Sequence, residues 1–256
     1  MARRYFIPPE QMERNEPLIG DADAHHLRDV LRLRPGAEIT VFDGTGTDYR
    51  ARLVDVSPKE VKVVLTGSIR TYRESPLTLT LAQGFLKDKK MDILVRQLTE
   101  LGVTRWTPFL ARRSVAVPTA RRLEARQQRW EKISREAVKQ CGRSRPMIID
   151  KATSFERALA DAQSSDLKLI FWESVSDAVP LEQFRALQPT NLYLMIGPEG
   201  GFEKSEIDQA LANNFKPVRM GPRILRAETA ALAAGVMIQF VFGDMTQKIL
   251  DNSGGV

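Results

Sequence analysis

Leu192-Tyr193-Leu194-Met195-Ile196 runs directly into Gly197-Pro198-Glu199-Gly200-Gly201. Further on, Pro217-Val218-Arg219-Met220 runs into Gly221-Pro222-Arg223-Ile224-Leu225-Arg226 and then into the helix-forming Glu228-Thr229-Ala230-Ala231-Leu232-Ala233-Ala234. Apolar strand, glycine loop and helix, in that order, build a small-molecule site at the carboxyl end of a sheet. The order occurs twice in succession here, so the two loops are expected to share one crevice.

Outward from these loops the pattern alternates. Leu77–Phe85, Thr104–Leu110 and Leu167–Trp172 read as strands. Met91, Leu94, Val95, Leu98 and Leu101 recur at helical spacing, with Gly102 as the C-cap. Arg121–Gln140 reads as a long amphipathic helix. Thr153 and Glu156 suggest a capping box for the next helix. Further helices are expected through Ile207, Ala210 and Leu211, and from Glu228 to Phe242. Such βα alternation implies an α/β unit with a mostly parallel sheet and flanking helices. Before Arg70–Pro76, which reads as a linker, the chain is β-rich. Arg4–Ile7, Glu38–Phe42, Tyr49–Asp55 and Glu60–Thr66 are strand candidates, with turns at Asp43-Gly44 and Ser57-Pro58-Lys59. His25–Arg32 reads as one short helix. A small barrel fits the strand spacing. The tail, residues 252–256, reads as disordered.

The 256 residues are 43% hydrophobic and 27% charged, a composition of globular proteins. No apolar run reaches membrane-spanning length, and the N-terminus lacks the apolar core of a secretory signal. Cys141 is the single cysteine, which suits a cytoplasmic location. It falls on the apolar side of its helix and reads as a buried thiol. With His25 and His26 the only histidines, no metal site is expected. Net charge is +6 and unevenly spread. Residues 76–151 carry seventeen basic against seven acidic side chains, whereas residues 1–75 balance and residues 152–256 are acidic overall. A concentrated basic segment favours a polyanionic partner.

Neither glycine loop is a phosphate site of a common kind. No Gly-Lys-Ser/Thr follows, and Gly-x-Gly-x-x-Gly is absent. Glycines without an adjacent cation suit backbone contacts to an adenine edge or a ribose. Spacing alone leaves two ordinary turns equally open. Glu173, at the end of a strand, is expected to line the same crevice, with Trp172 beside it.

Ile196-Gly197-Pro198-Glu199-Gly200-Gly201-Phe202, Glu206-Ile207 and Gly221-Pro222-Arg223-Ile224-Leu225-Arg226-Ala227-Glu228-Thr229-Ala230 closely resemble the SPOUT methyltransferase superfamily. Within it, the likeness is to the RsmE family of 16S rRNA uridine-N3 methyltransferases. Glu100-Leu101-Gly102-Val103, Gln140–Pro146, Arg4-Tyr5-Phe6, His26-Leu27 with Val30-Leu31-Arg32, and Phe42-Asp43-Gly44 extend the resemblance over nearly the whole chain. Ala227 is a small departure within the second motif.

The resemblance implies a PUA-like RNA-binding barrel over 1–72 and a trefoil-knotted SPOUT domain over 73–251. It implies S-adenosylmethionine as cofactor, a homodimer, and a uridine in the decoding region of 16S rRNA on the assembled small ribosomal subunit. Carried over by position, the cofactor residues are Trp172, Glu173, Ile196, Gly197, Pro198, Glu199, Gly200, Met220, Gly221, Ile224, Leu225, Thr229 and Ala230. Arg226 is the first candidate for stabilising a uracil anion, with Glu199 and Glu228 as candidate proton acceptors or as partners of Arg226. A side chain at Gly200 is expected to fill cofactor space. RNA contacts are expected from Arg4, His26, Arg28 and Arg32, and from Arg112, Arg113, Arg122, Arg126, Arg129, Arg143 and Arg145. Two alternatives stand beside this reading: an rRNA-binding assembly factor that keeps the cofactor site, and a SPOUT ribose 2′-O-methyltransferase.

Overall fold

A computed structural model describes residues 4–71, 73–87, 90–114, 118–174 and 179–246, without the side chains of 21 and 22. The expected tail at 252–256 lies outside the described residues. The chain divides into two units. One comprises Met1–Glu74 with Arg135–Pro146, the other Ser75–Ser134 with Met147–Val256.

The first unit contains β1 (Arg4–Phe6), α1 (Pro9–Met12), β2 (Leu18–Gly20), α2 (Asp21–His25), β3 (Glu38–Phe42), β4 (Asp48–Val56) and β5 (Glu60–Ile69). Their order, β1-β3-β4-β5-β2, makes a barrel-like sheet. Period-two patterning sets the register. Ile39, Val41, Ala51, Leu53, Val61 and Val63 point inward and are buried with Tyr5, Ile7 and Leu27. The stretch expected as one helix from His25 is two pieces: α2 begins at Asp21, and a π-helical turn covers His26–Val30. Arg32 at φ +53° ends it, three residues before Pro35.

The second unit contains β6 (Thr78–Gly84), α3 (Lys90–Glu100), β7 (Arg105–Leu110), α4 (Ala120–Cys141), β8 (Ile148–Ile149), β9 (Thr153–Ser154), α5 (Phe155–Asp161), β10 (Leu167–Phe171), β11 (Asn191–Ile196), α6 (Lys204–Ala212), β12 (Lys216–Val218) and α7 (Ala227–Val241). The last two turns of α4 group with the first unit. Strand order is β12-β10-β11-β6-β7-β8, with β9 also on β7, and every described pairing is parallel. Proline positions fit this order. Pro217 lies in edge strand β12, and Pro108 falls between the segments of β7 that pair with β8 and with β9.

The apolar period of α3 buries Met91, Leu94, Val95 and Leu98 on one side of the sheet, against Trp106, Trp130 and Ile238. Trp106 and Trp130 meet edge to face at 5.0 Å, and Trp130 Nε1 donates to Asp92 at 2.9 Å. A second cluster, around Phe109, Phe155, Phe202 and Phe215, contains Ile170, Tyr193 and Met195 from the alternate positions of β10 and β11. Gly102, at φ +82°, ends α3 as its sequence suggests. The cap of α5 is Ser154 rather than Thr153: the Ser154 hydroxyl accepts from the Arg157 amide at 3.2 Å.

Candidate active site

Parallel pairing brings the carboxyl ends of β6, β10 and β11 to one edge. Phe171 stands opposite Ile196, and Ile196 opposite Gln83. The two glycine loops leave from this edge and close a cavity of about 590 Å3. The first loop supplies Gly197–Phe202, the second supplies Ile224, Leu225 and Arg226, and the start of α7 supplies Ala227, Glu228 and Ala230. Glu173 lies beyond the end of β10, and Lys87 and Lys90 come from the segment after β6. The expectation of a shared crevice therefore holds in geometry.

The first loop is shaped by close approaches. A side chain on Gly84 would stand 2.4 Å from the Pro198 nitrogen, so only glycine lets the loop cross the end of β6. Gln83, fully buried, donates through Nε2 to the carbonyls of Gly84 and Gly197, each at 3.0 Å. Pro198 O accepts from the Gly201 amide at 2.9 Å, closing a turn, and Gly201 leaves that turn at a φ of +70°, which favours glycine. The space beside Gly200 differs from expectation. A Cβ there would meet Arg113 Cβ at 3.0 Å and Arg113 O at 3.1 Å, so that position faces the neighbouring segment.

Of the expected cofactor residues, Glu173, Ile196, Gly197, Pro198, Glu199, Gly200, Ile224, Leu225 and Ala230 line the cavity. Trp172, Met220, Gly221 and Thr229 do not appear on its wall among the described residues. Trp172 pairs its amide with Val218 O at 3.1 Å and rests on the aromatic cluster, and Met220 packs on the main core. Arg226, Glu199 and Glu228 all reach the cavity. Arg226 is the N-cap of α7, with its backbone carbonyl accepting from the Ala230 amide at 2.8 Å. Its side chain is exposed and makes no hydrogen bond or ion pair among the described residues.

Lys87, Lys90, Phe171, Gly201, Phe202 and Ala227 complete the wall beyond the expected set. Lys90 joins two of the expected residues: its ammonium contacts Glu199 Oε1 and lies 3.2 Å from Glu228 Oε1. The Lys90 hydrogen bond holds the Glu199 carboxyl below its ordinary range, and Glu199 and Glu228 together hold the ammonium above its own. The signal that could have found Lys87 and Lys90 is Gln83-Gly84, a third glycine at the end of a strand in the same sheet.

The basic residues divide. Arg4 and Arg143 are buried, which corrects their expected place among RNA contacts. Arg4 Nη2 donates to Asp48 at 2.8 Å, to the Arg143 carbonyl at 2.9 Å and to Ser144 Oγ at 3.3 Å. Arg143 Nη2 pairs with Glu74 at 3.0 Å. Burial pushes the Arg4 guanidinium down and the Asp48 carboxyl up. In the first unit, His26 is exposed with Nδ1 3.1 Å from the Tyr5 hydroxyl, and Arg28 grips Asp29. Arg32 is exposed, and Arg145 donates to Thr45 O at 2.8 Å. In the second unit, Arg112 and Arg113 are exposed, with Arg113 reaching the Gly200 carbonyl at 3.3 Å. Arg126 lies over the Phe85 ring at 5.8 Å, and Arg129 pairs with Asp92 at 2.7 Å. Arg122 is exposed and unpaired among the described residues. Cys141, expected buried, is half-buried. No described helix is long and apolar enough to cross a membrane, and no described cluster of His, Cys, Asp and Glu could hold a metal.

Comparison with known proteins places this geometry in a family. A model described as an RNA methyltransferase domain matches residues 73–239, and an RNA methyltransferase PUA domain matches residues 19–66. Ribosomal RNA small subunit methyltransferase E of Bacillus subtilis is 30% identical over 241 residues, covering 91% of this chain and 94% of that protein. The protein of the same name from Synechocystis sp. is 32% identical over 236 residues, covering 91% of this chain and 76% of that protein. A crystal structure of the Neisseria gonorrhoeae ribosomal RNA small subunit methyltransferase E, bound to S-adenosyl methionine, aligns with a TM-score of 0.84 at 32% identity. It covers 96% of this chain and 100% of that one. The chain thus belongs to the RNA methyltransferase family that contains the ribosomal RNA small subunit methyltransferase E proteins.

Proposed function

We propose that this chain transfers the methyl group of S-adenosylmethionine to N3 of a uridine in the decoding region of 16S rRNA. In this reading it acts in the cytoplasm, as a homodimer, on the assembled small subunit. The observation that carries the cofactor assignment is the cavity. Its volume lies in the small-molecule range. Its wall combines glycine backbone at Gly197 and Gly200, apolar surface at Phe171, Ile196 and Leu225, and the carboxylate of Glu173. These groups fit an adenosine with a cationic centre. When bound, the cofactor supplies an electrophilic methyl on a sulfonium.

The residues of the chain supply placement and charge. Glu173, Gly197, Pro198, Gly200, Leu225 and Ala230 hold the cofactor against the strand ends. Uracil N3 carries a proton at neutral pH; that proton passes to solvent water, and attack on the methyl then requires stabilisation of the anion that remains. Arg226 is suited to stabilising that anion, because its planar, exposed guanidinium lines the cavity without an ion-pair partner among the described residues. A paired uridine would hide N3, so the target is single-stranded or splayed out.

For the RNA grip we propose a PUA-like barrel over 1–72 and a methyltransferase domain, trefoil-knotted, over 73–251. His26, Arg28, Arg32 and Arg145 are the contacts of the barrel unit, and Arg112, Arg113, Arg122, Arg126 and Arg129 those of the catalytic unit. Support for the homodimer comes from apolar side chains left exposed on α7, Val236 and Phe240, and from Ile93 on α3. Labelled methyl appearing in rRNA of unmodified small subunits, incubated with the protein and S-adenosylmethionine, tests the reading. Absence of label would leave a cofactor-binding assembly factor.

A further inference from the structure

Lys90 opens α3, where the positive end of the helix dipole disfavours a cation. It is offset by two carboxylates from elements far away in sequence, Glu199 of the first glycine loop and Glu228 in the first turn of α7. The Lys87 amide adds a hydrogen bond to Glu199 Oε2 at 3.4 Å. Glu199 is therefore occupied by an ammonium and an amide, and a carboxylate so held is a weak proton acceptor. Arg226, two residues before Glu228, caps the same helix end with its side chain unpaired among the described residues.

We propose that Lys90 is a positioning residue: it ties the first glycine loop to the start of α7, and Glu199 and Glu228 are its anchors rather than proton acceptors. The clamp fixes the cofactor wall and the start of α7, from which Arg226 projects, relative to each other. Its catalytic part rests on the methyl-transfer reading. Its structural part does not.

Besides Lys90 and Glu199, the charged groups lining this cavity among the described residues are Lys87 on the same segment as Lys90, Arg226 and Glu228 at α7, and Glu173 after β10. The direction of the pH dependence follows from the two shifts. Glu199 is depressed in the fold, so the stabilisation is present above the ordinary carboxylate range and is lost as pH falls through the lowered value. Lys90 is raised, so its share is complete below the ordinary lysine value and is lost as pH rises through the raised one.

The test has two readouts. In the cofactor-free protein, carbon-13 NMR follows the Glu199 carboxyl, assigned by its loss in Glu199→Gln. Lys90→Met is expected to move the Glu199 titration up, and Lys90→Arg to restore most of the depression. An unmoved titration in a folded Lys90→Met protein overturns the clamp, whether or not the chain methylates RNA. On small subunits, Lys90→Met is expected to lower kcat about tenfold with KM for S-adenosylmethionine changed far less, and Lys90→Arg to recover most of it. Glu199→Gln and Glu228→Gln are each expected to lose less than about tenfold. A folded Glu199→Gln or Glu228→Gln protein that loses the roughly 10²- to 10⁴-fold typical of a missing general base would overturn the proposal. A wild-type protein that transfers no methyl would instead count against the methyl-transfer reading, with the titration still deciding the clamp.

Discussion

Gln83 donates one hydrogen bond across the strand end to the Gly197 carbonyl at 3.0 Å, and it is completely buried while doing so. The same amide nitrogen reaches Gly84 O, so a single side chain holds β6 to the first glycine loop. Removing it leaves two buried carbonyls without a donor, at about 1–3 kcal/mol each. Gln83→Leu is expected to weaken S-adenosylmethionine binding by about tenfold or more in calorimetry and to lower the unfolding temperature. Wild-type affinity in that variant would detach Gln83 from the cofactor loop.

Gly200→Val should act through Arg113, because the Cβ direction points at the Arg113 backbone within 3.1 Å. The expected result is a displaced first loop and weaker cofactor binding that truncating Arg113 to alanine does not relieve, since the Arg113 carbonyl still blocks the space. Full relief by Arg113→Ala would mean that the long side chain, rather than the backbone, sets the constraint.

Arg226→Ala is expected to lower transfer by about 10²- to 10³-fold, the scale seen when one group that stabilises an anion is removed. Cofactor affinity should change little, because the Arg226 side chain is exposed and carries no fold contact among the described residues. Calorimetry beside single-turnover kinetics separates the two effects. Normal turnover would remove Arg226 from the chemistry.

Arg4 and Asp48 form an ion pair buried in the first unit. Breaking one side strands a charge, so Arg4→Met should destabilise by about 3–5 kcal/mol in denaturant unfolding. Replacing both, Arg4→Met with Asp48→Leu, should recover much of that loss. An additive double variant would show that the pair contributes independently at each end.

Arg122 is exposed and unpaired among the described residues, unlike Arg129, which Asp92 engages. Arg122→Ala should weaken RNA binding without changing sequence preference and should reduce the salt dependence by about one phosphate contact. Arg4→Met, measured above the stability threshold, should leave the salt slope unaltered, since that cation is buried.

Local periodicity made most of the fold readable. Met91 to Leu101 spelled out α3, and Glu38–Phe42 and Glu60–Thr66 marked two barrel strands, the second of which runs on to Ile69. Contacts between distant residues were not readable. Arg4 finds Asp48 across 44 residues and Arg143 finds Glu74 across 69, so two buried cations looked like surface ones. Lys90 meets Glu199 across 109 residues, and the one local hint that its segment joins the site is Gln83-Gly84 just before it. Ser154 displaced Thr153 as the cap because a one-residue shift decides which hydroxyl reaches the N3 amide, and adjacent hydroxyl residues look alike in sequence. The glycine loops were recognisable because part of their constraint is local: Gly201 and Gly221 take φ of +70° and +72°, where side-chain-bearing residues are disfavoured. Gly84 needed the fold, since the backbone it admits belongs to Pro198.

Methyl transfer to uracil N3 leaves a product that can be read directly. Small subunits lacking the modification, incubated with this protein and methyl-labelled S-adenosylmethionine, can be digested to nucleosides and resolved by chromatography and mass spectrometry. The label is expected in 3-methyluridine from 16S rRNA, and is expected to be lost with Arg226→Ala. Label in a ribose-methylated nucleoside, or in none, would rule out transfer to uracil N3.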